Sequence, residues 1–155
     1  MLNSLQIARV SVIGAGTLGA QIAAMAAASG RTVLLYDALE GAADVAIDRL
    51  RSLLIPVIAA GDLDWELDAV LGRIQPVATL AESVAAADLV IEAVREEPET
   101  KRSVFRQIGE INPHVLLATN SSSIASPQLA DAVADPGKSV NLHFFSIFWY
   151  PSPFP

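Results

Sequence analysis

The sequence predicts an α/β fold: a doubly wound, mostly parallel sheet with helices on both faces. Three observations lead there. An apolar run, Ile7 to Ile13, ends in the glycine pattern Gly14-Ala15-Gly16-Thr17-Leu18-Gly19, followed by an alanine-rich stretch and a second apolar run, Val33 to Tyr36, that ends on Asp37. Downstream, short apolar runs alternate with stretches of helical period, the pattern of β-α-β units. Asp88 to Val94 is a continuous apolar run with β-branched residues rather than an alternating one, which marks a strand buried on both faces.

The elements follow in order. The alanines from Ala20 to Ala28 combine high helix propensity with small size, so this helix lies close to the sheet. After Asp37, Ile47, Leu50, Leu54, Val57 and Ile58 recur with the period of an amphipathic helix. Pro56 falls inside it and predicts a kink or break near Ser52–Leu53, with Gly61 as the stop. Asp62 or Asp64 is expected to cap a short helix through Leu71, ended by Gly72. Ile74 to Ala78 reads as a short strand that Pro76 confines to an edge. Thr79 and Glu82 have capping-box spacing.

Pro98 suits the first turn of a helix running to about Ile111, and Glu96, Glu97 and Glu99 favour its dipole. Asn112-Pro113 turns the chain into a strand at Val115–Ala118. Ser126-Pro127 starts another helix, Asp135-Pro136-Gly137 closes it, and Val140 to Phe145 forms the last strand. Residues 146–155 carry aromatics and prolines without charge and fit neither a regular helix nor a central strand. The expected division is a nucleotide-binding domain over 1–145 and a tail over 146–155.

Composition narrows the function. A chain of 155 residues, 52% hydrophobic and 17% charged, is one domain with a sizeable core. Its formal charge of −7, with ten scattered basic residues, argues against nucleic acid or an anionic membrane as partner. The lack of cysteine excludes disulfides, thiol catalysis and cysteine metal sites, and no metal is expected. The segment before the first strand, Met1 to Gln6, is too short for a signal peptide, and the alanine run is shorter than the ~20 residues of a membrane span. The expected location is cytoplasmic.

The glycine pattern carries chemistry when it stands between a strand and a helix with an acid about 20 residues further on. Gly14 allows the tight turn, Gly16 lets backbone approach a pyrophosphate, and Gly19 permits close packing of the helix. The helix N-terminus receives the phosphate charge, from Gly14 through Ala15, Gly16, Thr17 and Leu18 to Gly19. Asp37 is placed to accept hydrogen bonds from the adenosine ribose, and its charge would repel a 2′-phosphate, so NAD is favoured over NADP. The fold expected is therefore of the Rossmann type. Ligands of such sheets sit outside the carboxyl ends of the strands. Glu92–Glu96, Thr119–Ser123 and Leu142–Phe145 reach that edge and offer carboxylates, short hydrogen-bonding side chains and one imidazole.

Val12-Ile13-Gly14-Ala15-Gly16-Thr17-Leu18-Gly19, Asp88 to Val94, Glu97 through Lys101, Ala118 to Ser123 and Leu142 to Phe145 come in an order and spacing that resembles the L-3-hydroxyacyl-CoA dehydrogenases. The resemblance covers residues 7 to 145. It implies NAD-dependent interconversion of 3-hydroxyacyl and 3-oxoacyl thioesters. His143 would be the general base, a task that also suits an imidazole titrating near neutrality. Ser122 would hold the substrate oxygen, with Asn120 beside it, and Glu96 and Lys101 would lie beside the nicotinamide half of the cofactor. Read from the residues alone, Glu96 and Lys101 are a solvated charge pair at a helix start, Glu92 orients a loop, and His114 is a loop residue.

Two departures stand out. Ser146-Ile147 replaces the family's Asn-Pro, and no carboxylate follows Asp135 to pair with the histidine. The family's C-terminal helical domain, which completes the acyl cleft and the dimer interface, is also missing, so these 155 residues are expected to be weakly active or inactive alone. An acyl thioester, on CoA or on a carrier protein, is the expected partner, with a homodimer as the assembly. Two other readings stand beside this one: a dehydrogenase of carrier-bound hydroxyacyl groups or free hydroxy acids, and a non-catalytic NAD-binding module.

Overall fold

The computed structural model describes residues 6–122 and 129–144. Six strands form one parallel sheet: β1 (Arg9–Ile13), β2 (Thr32–Tyr36), β3 (Ile74–Pro76), β4 (Leu89–Glu92), β5 (Leu116–Thr119) and β6 (Ser139–Asn141), in the order β3-β2-β1-β4-β5-β6. The order reverses between β1 and β4, which opens a crevice at their carboxyl ends.

Helices α1 (Thr17–Ala28), α2 (Ala42–Ala59) and α3 (Leu67–Leu71) cover one face, and α4 (Leu80–Val84) and α5 (Pro98–Ile111) the other. Side chains alternate accordingly. Val10 and Val12 pack with Ile22, Leu50 and Leu54, whereas Ile13 packs with Phe105 and Ile108 on the opposite side. Each such buried side chain contributes about 1.5–3 kcal/mol. Ser11, the polar residue of β1, is buried and satisfied by Ser83 of α4 at 2.6 Å. Ala20, Ala23, Ala24 and Ala27 of α1 are at most 1% exposed, so the small side chains seat this helix on the sheet as expected.

Several local expectations hold to the residue. Thr79 caps α4 with the reciprocal bonds of a capping box, and α5 runs from Pro98 to Ile111. Gly61, at φ +81°, ends α2: its N–H reaches the Ile58 carbonyl and that of Asp62 reaches Val57. Pro76 lies on the edge strand β3.

Four expectations are corrected. Helix α2 is a single element through Pro56, because Ser52, whose carbonyl loses a donor, lies on the exposed face where water replaces it. Neither Asp62 nor Asp64 caps α3, which begins at Leu67 after Glu66. Asp62 belongs to the stop of α2, and Leu63 and Trp65 pack on the core and hold the segment extended. Strand β6 ends at Asn141 instead of running through Phe145, since β5 stops at Thr119 and the Asn120 side chain takes the Phe144 N–H at 2.7 Å. Within the segment expected to be a helix from Ser126-Pro127, residues 130–132 form one 3-10 turn, and Ser126-Pro127 themselves lie outside the described residues. So do Ser123, Phe145 and the expected tail, 146–155. Among the described residues no helix is long and apolar enough to cross a membrane.

Candidate functional site

The first side of the crevice is built by the turn from β1 into α1. Gly14 has φ +105°, and a Cβ there would stand 2.6 Å from the Ala93 carbonyl oxygen after β4. Gly19 is more constrained: a Cβ would lie 1.9 Å from the Gly14 carbonyl oxygen. No side chain fits at either position. Gly16, at the N-cap of α1, has nothing within 4 Å of an added Cβ, and both Gly16 and Thr17 are exposed. No side chain caps α1 and no acid stands in its first turn, so the amides of Thr17, Leu18 and Gly19 are left to an incoming anion.

Asp37 follows β2 directly and is already oriented. Its Oδ2 accepts the Ala15 N–H at 2.7 Å and its Oδ1 the Leu39 N–H at 2.9 Å. It lies on the rim of two cavities, of about 570 Å³ and about 310 Å³, the larger lined also by Leu39, Glu40, Asp44 and Pro76. These volumes are in the range of small-ligand sites.

The second side is made of side chains. Lys101 of α5 and Glu92 at the end of β4 are both fully buried, with Nζ 2.8 Å and 3.0 Å from the two carboxylate oxygens. Glu96, about one-third exposed, adds an oxygen at 3.2 Å. A buried ammonium is tolerated only when paired this way. Glu92 also accepts the Thr119 hydroxyl and the Val94 N–H, both at 2.7 Å. Glu96 accepts the Ser121 hydroxyl in a short bond and the Ser122 N–H at 2.9 Å. Ser122 Oγ is 2.8 Å from His143 Nε2. Glu92 and Glu96 thereby tie β4, α5 and the loop after β5 into one unit that ends at the Ser122–His143 pair.

The segments that the sequence brings to this edge meet there, and of the two readings of Glu96 and Lys101 the solvated one is excluded. Glu96 and Lys101 are not a solvated surface pair, because Lys101 is enclosed and its nearer partner is Glu92. Glu92 does orient the loop after β4, as expected, through Val94. Thr119 was missed as a member of the cluster. The available signal was an acid closing an otherwise apolar buried run, which demands a buried donor set. Asn120 is buried and its Oδ1 is engaged by the Phe144 backbone, while its neighbour Ser121 accepts from Asn141 through its carbonyl at 3.1 Å. His114 is exposed in a turn and bonded through its backbone to Asn112.

Known proteins resemble this chain along most of its length. The family model described as 3-hydroxyacyl-CoA dehydrogenase, NAD binding domain, matches residues 9–150. The 3-hydroxyadipyl-CoA dehydrogenase of Escherichia coli K12 is 41% identical over 144 residues, 92% of this chain and 30% of that protein. A crystal structure of 3-hydroxybutyryl-CoA dehydrogenase from Escherichia coli K12 superposes with a TM-score of 0.83 at 42% identity, over 90% of this chain and 30% of that one. A diketoreductase, in a structure concerned with dual catalysis on dicarbonyl compounds, superposes with a TM-score of 0.84 at 37% identity, over 92% of this chain and 52% of that one. The chain therefore spans from about a third to about half the length of these proteins. It belongs to the 3-hydroxyacyl-CoA dehydrogenase family, and its parallel sheet is that family's NAD-binding domain.

Proposed function

We propose that this domain serves NAD-dependent interconversion of 3-hydroxyacyl-CoA and 3-oxoacyl-CoA thioesters. The observation that carries the reading is the Ser122–His143 contact of 2.8 Å, on the same carboxyl edge of the sheet as the open turn at Gly16. The cofactor fits the residues present. The uncapped first turn of α1 faces an open crest for a pyrophosphate, and Asp37 offers acceptors to a ribose.

In this reading Gly14 to Gly19 and Asp37 hold the adenosine diphosphate part. When bound, NAD supplies a hydride acceptor. His143 takes the proton of the substrate hydroxyl, so that a carbonyl remains when the hydride leaves the same carbon. Ser122 would hydrogen-bond that oxygen and keep it beside His143. Glu96 holds the Ser122 backbone in place, and Lys101 holds Glu96. Asn120 shapes the loop that presents the substrate side. A CoA thioester as substrate, a homodimer as assembly and a cytoplasmic location belong to the same proposal.

Titration with NADH followed by fluorescence tests the first half, and saturable binding by the 155-residue chain is expected. The second half is tested with acetoacetyl-CoA, its carrier-protein analogue and free acetoacetate, assayed side by side by loss of NADH. The CoA thioester should be turned over fastest by an enzyme that carries this domain, with the isolated chain weak or inactive. His143→Gln in that enzyme should lower turnover about 10²–10⁴-fold; near-normal turnover removes His143 from the mechanism. A second reading, reduction of small dicarbonyl compounds without a thioester, is favoured by the likeness to the diketoreductase. Faster turnover of dicarbonyl compounds that carry no thioester than of acetoacetyl-CoA selects it.

A further inference from the structure

We propose that Arg49 of α2 is the cation that receives the cofactor's pyrophosphate, an inference that rests on the NAD-binding reading. Arg49 reaches from the exposed side of α2 to the glycine turn, where its Nη2 donates to the Ala15 carbonyl at 3.0 Å. That is its one protein hydrogen bond among the described residues, and it has no carboxylate partner there. Ala15 stands between Gly14 and the open crest at Gly16, so a full positive charge with unused donors is anchored beside the entry to α1.

The charge balance shows why a cation is needed. The neighbouring cavity is lined by three carboxylates, Asp37, Glu40 and Asp44, and the whole chain carries −7. Both phosphates of a dinucleotide are ionised, and the N-terminus of α1 offers only about half a charge. Backbone amides therefore aim the phosphates without offsetting the acids around them. A guanidinium offsets them, and its planar fork suits phosphate oxygens. Its bond to the Ala15 carbonyl holds it in place before the ligand arrives.

The test compares the wild-type chain with Arg49→Gln and Arg49→Lys, titrated with NADH and with ADP-ribose at about 0.01 M and about 1 M NaCl, where the screening length falls from about 30 Å to about 3 Å. At low salt, Arg49→Gln should bind both ligands about tenfold more weakly, a gap that closes to within about twofold at high salt, while Arg49→Lys stays within about threefold of wild type. Wild-type affinity in Arg49→Gln at low salt overturns the proposal. So does an equal loss at both salts with a lowered melting temperature of the free chain, which makes Arg49 a brace for the turn. Absence of NADH binding by the folded wild-type chain overturns the NAD-binding reading itself, a result distinct from either.

Discussion

Ala15, Gly16 and Thr17 meet the open edge of the sheet with backbone, whereas Glu96, Ser122 and His143 meet it with side chains held by a buried ion cluster. The two sides stand on the two halves of one sheet, across the reversal between β1 and β4. The first depends on the absence of Cβ atoms at Gly14 and Gly19. The second depends on Glu92 and Lys101 being present together, because Glu92 without Lys101 is a buried charge without a counterion and Lys101 without Glu92 keeps only the more exposed Glu96. One side is thus a matter of steric exclusion and the other of charge neutrality, and they should fail in different ways.

Lys101→Met gives the largest expected effect. It leaves Glu92 buried without its ammonium and should lower stability by about 3–5 kcal/mol in urea unfolding. A loss under about 1 kcal/mol would mean that water reaches the cluster and would erase the contrast. Gly19→Ala comes next, at or above the top of the about 1–3 kcal/mol range for overpacking, since the clash is with backbone. Gly16→Ala sharpens the same point: its Cβ meets nothing, so the unfolding midpoint should stay put while NADH affinity falls. Asp37→Ala should weaken NADH binding by about 1.5–3 kcal/mol, the range for a hydrogen bond to a charged group, and unchanged affinity in a titration removes it from the site. The smallest effect belongs to Asp88, whose exposed carboxylate accepts the Arg9 and Ala8 N–H groups at 2.8 and 2.9 Å and is held below its ordinary pKa by them. With the folded pKa depressed, this contribution is present above the unfolded value of about 3.9 and is lost as the pH falls through the folded one. Asp88→Asn should cost less than about 1 kcal/mol at neutral pH after solvent screening, and the difference from wild type should vanish in acid.

What the sequence makes legible follows the same division. The glycine turn, the acid closing β2, the capping box at Thr79 and the proline opening α5 are local devices, and each appears where its neighbours in sequence place it. The cluster around Lys101 is not local. Nine residues separate it from Glu92, and Thr119 arrives from the next strand, so only the packing of α5 against the pair β4 and β5 turns an ordinary helix-start charge pair into an enclosed one. Pro56 and Asp62 failed as signals for a related reason. A proline on a wet helix face loses little, and Asp62, whose backbone N–H closes α2, stands four residues before the N-cap position of α3 at Glu66, out of reach as a cap. The resemblance of five ordered motifs reached the family, while the single-residue geometry had to come from the fold.

Asp37 has one further consequence. Because Ala15 and Leu39 already engage its two oxygens from below, the rotamer is chosen during folding and a ligand finds an ordered acceptor instead of a mobile one. Immobilising a free side chain typically subtracts about 0.5–1.5 kcal/mol from an association. A contact made by Asp37 escapes most of that entropy penalty, so its worth should decline little as the temperature rises.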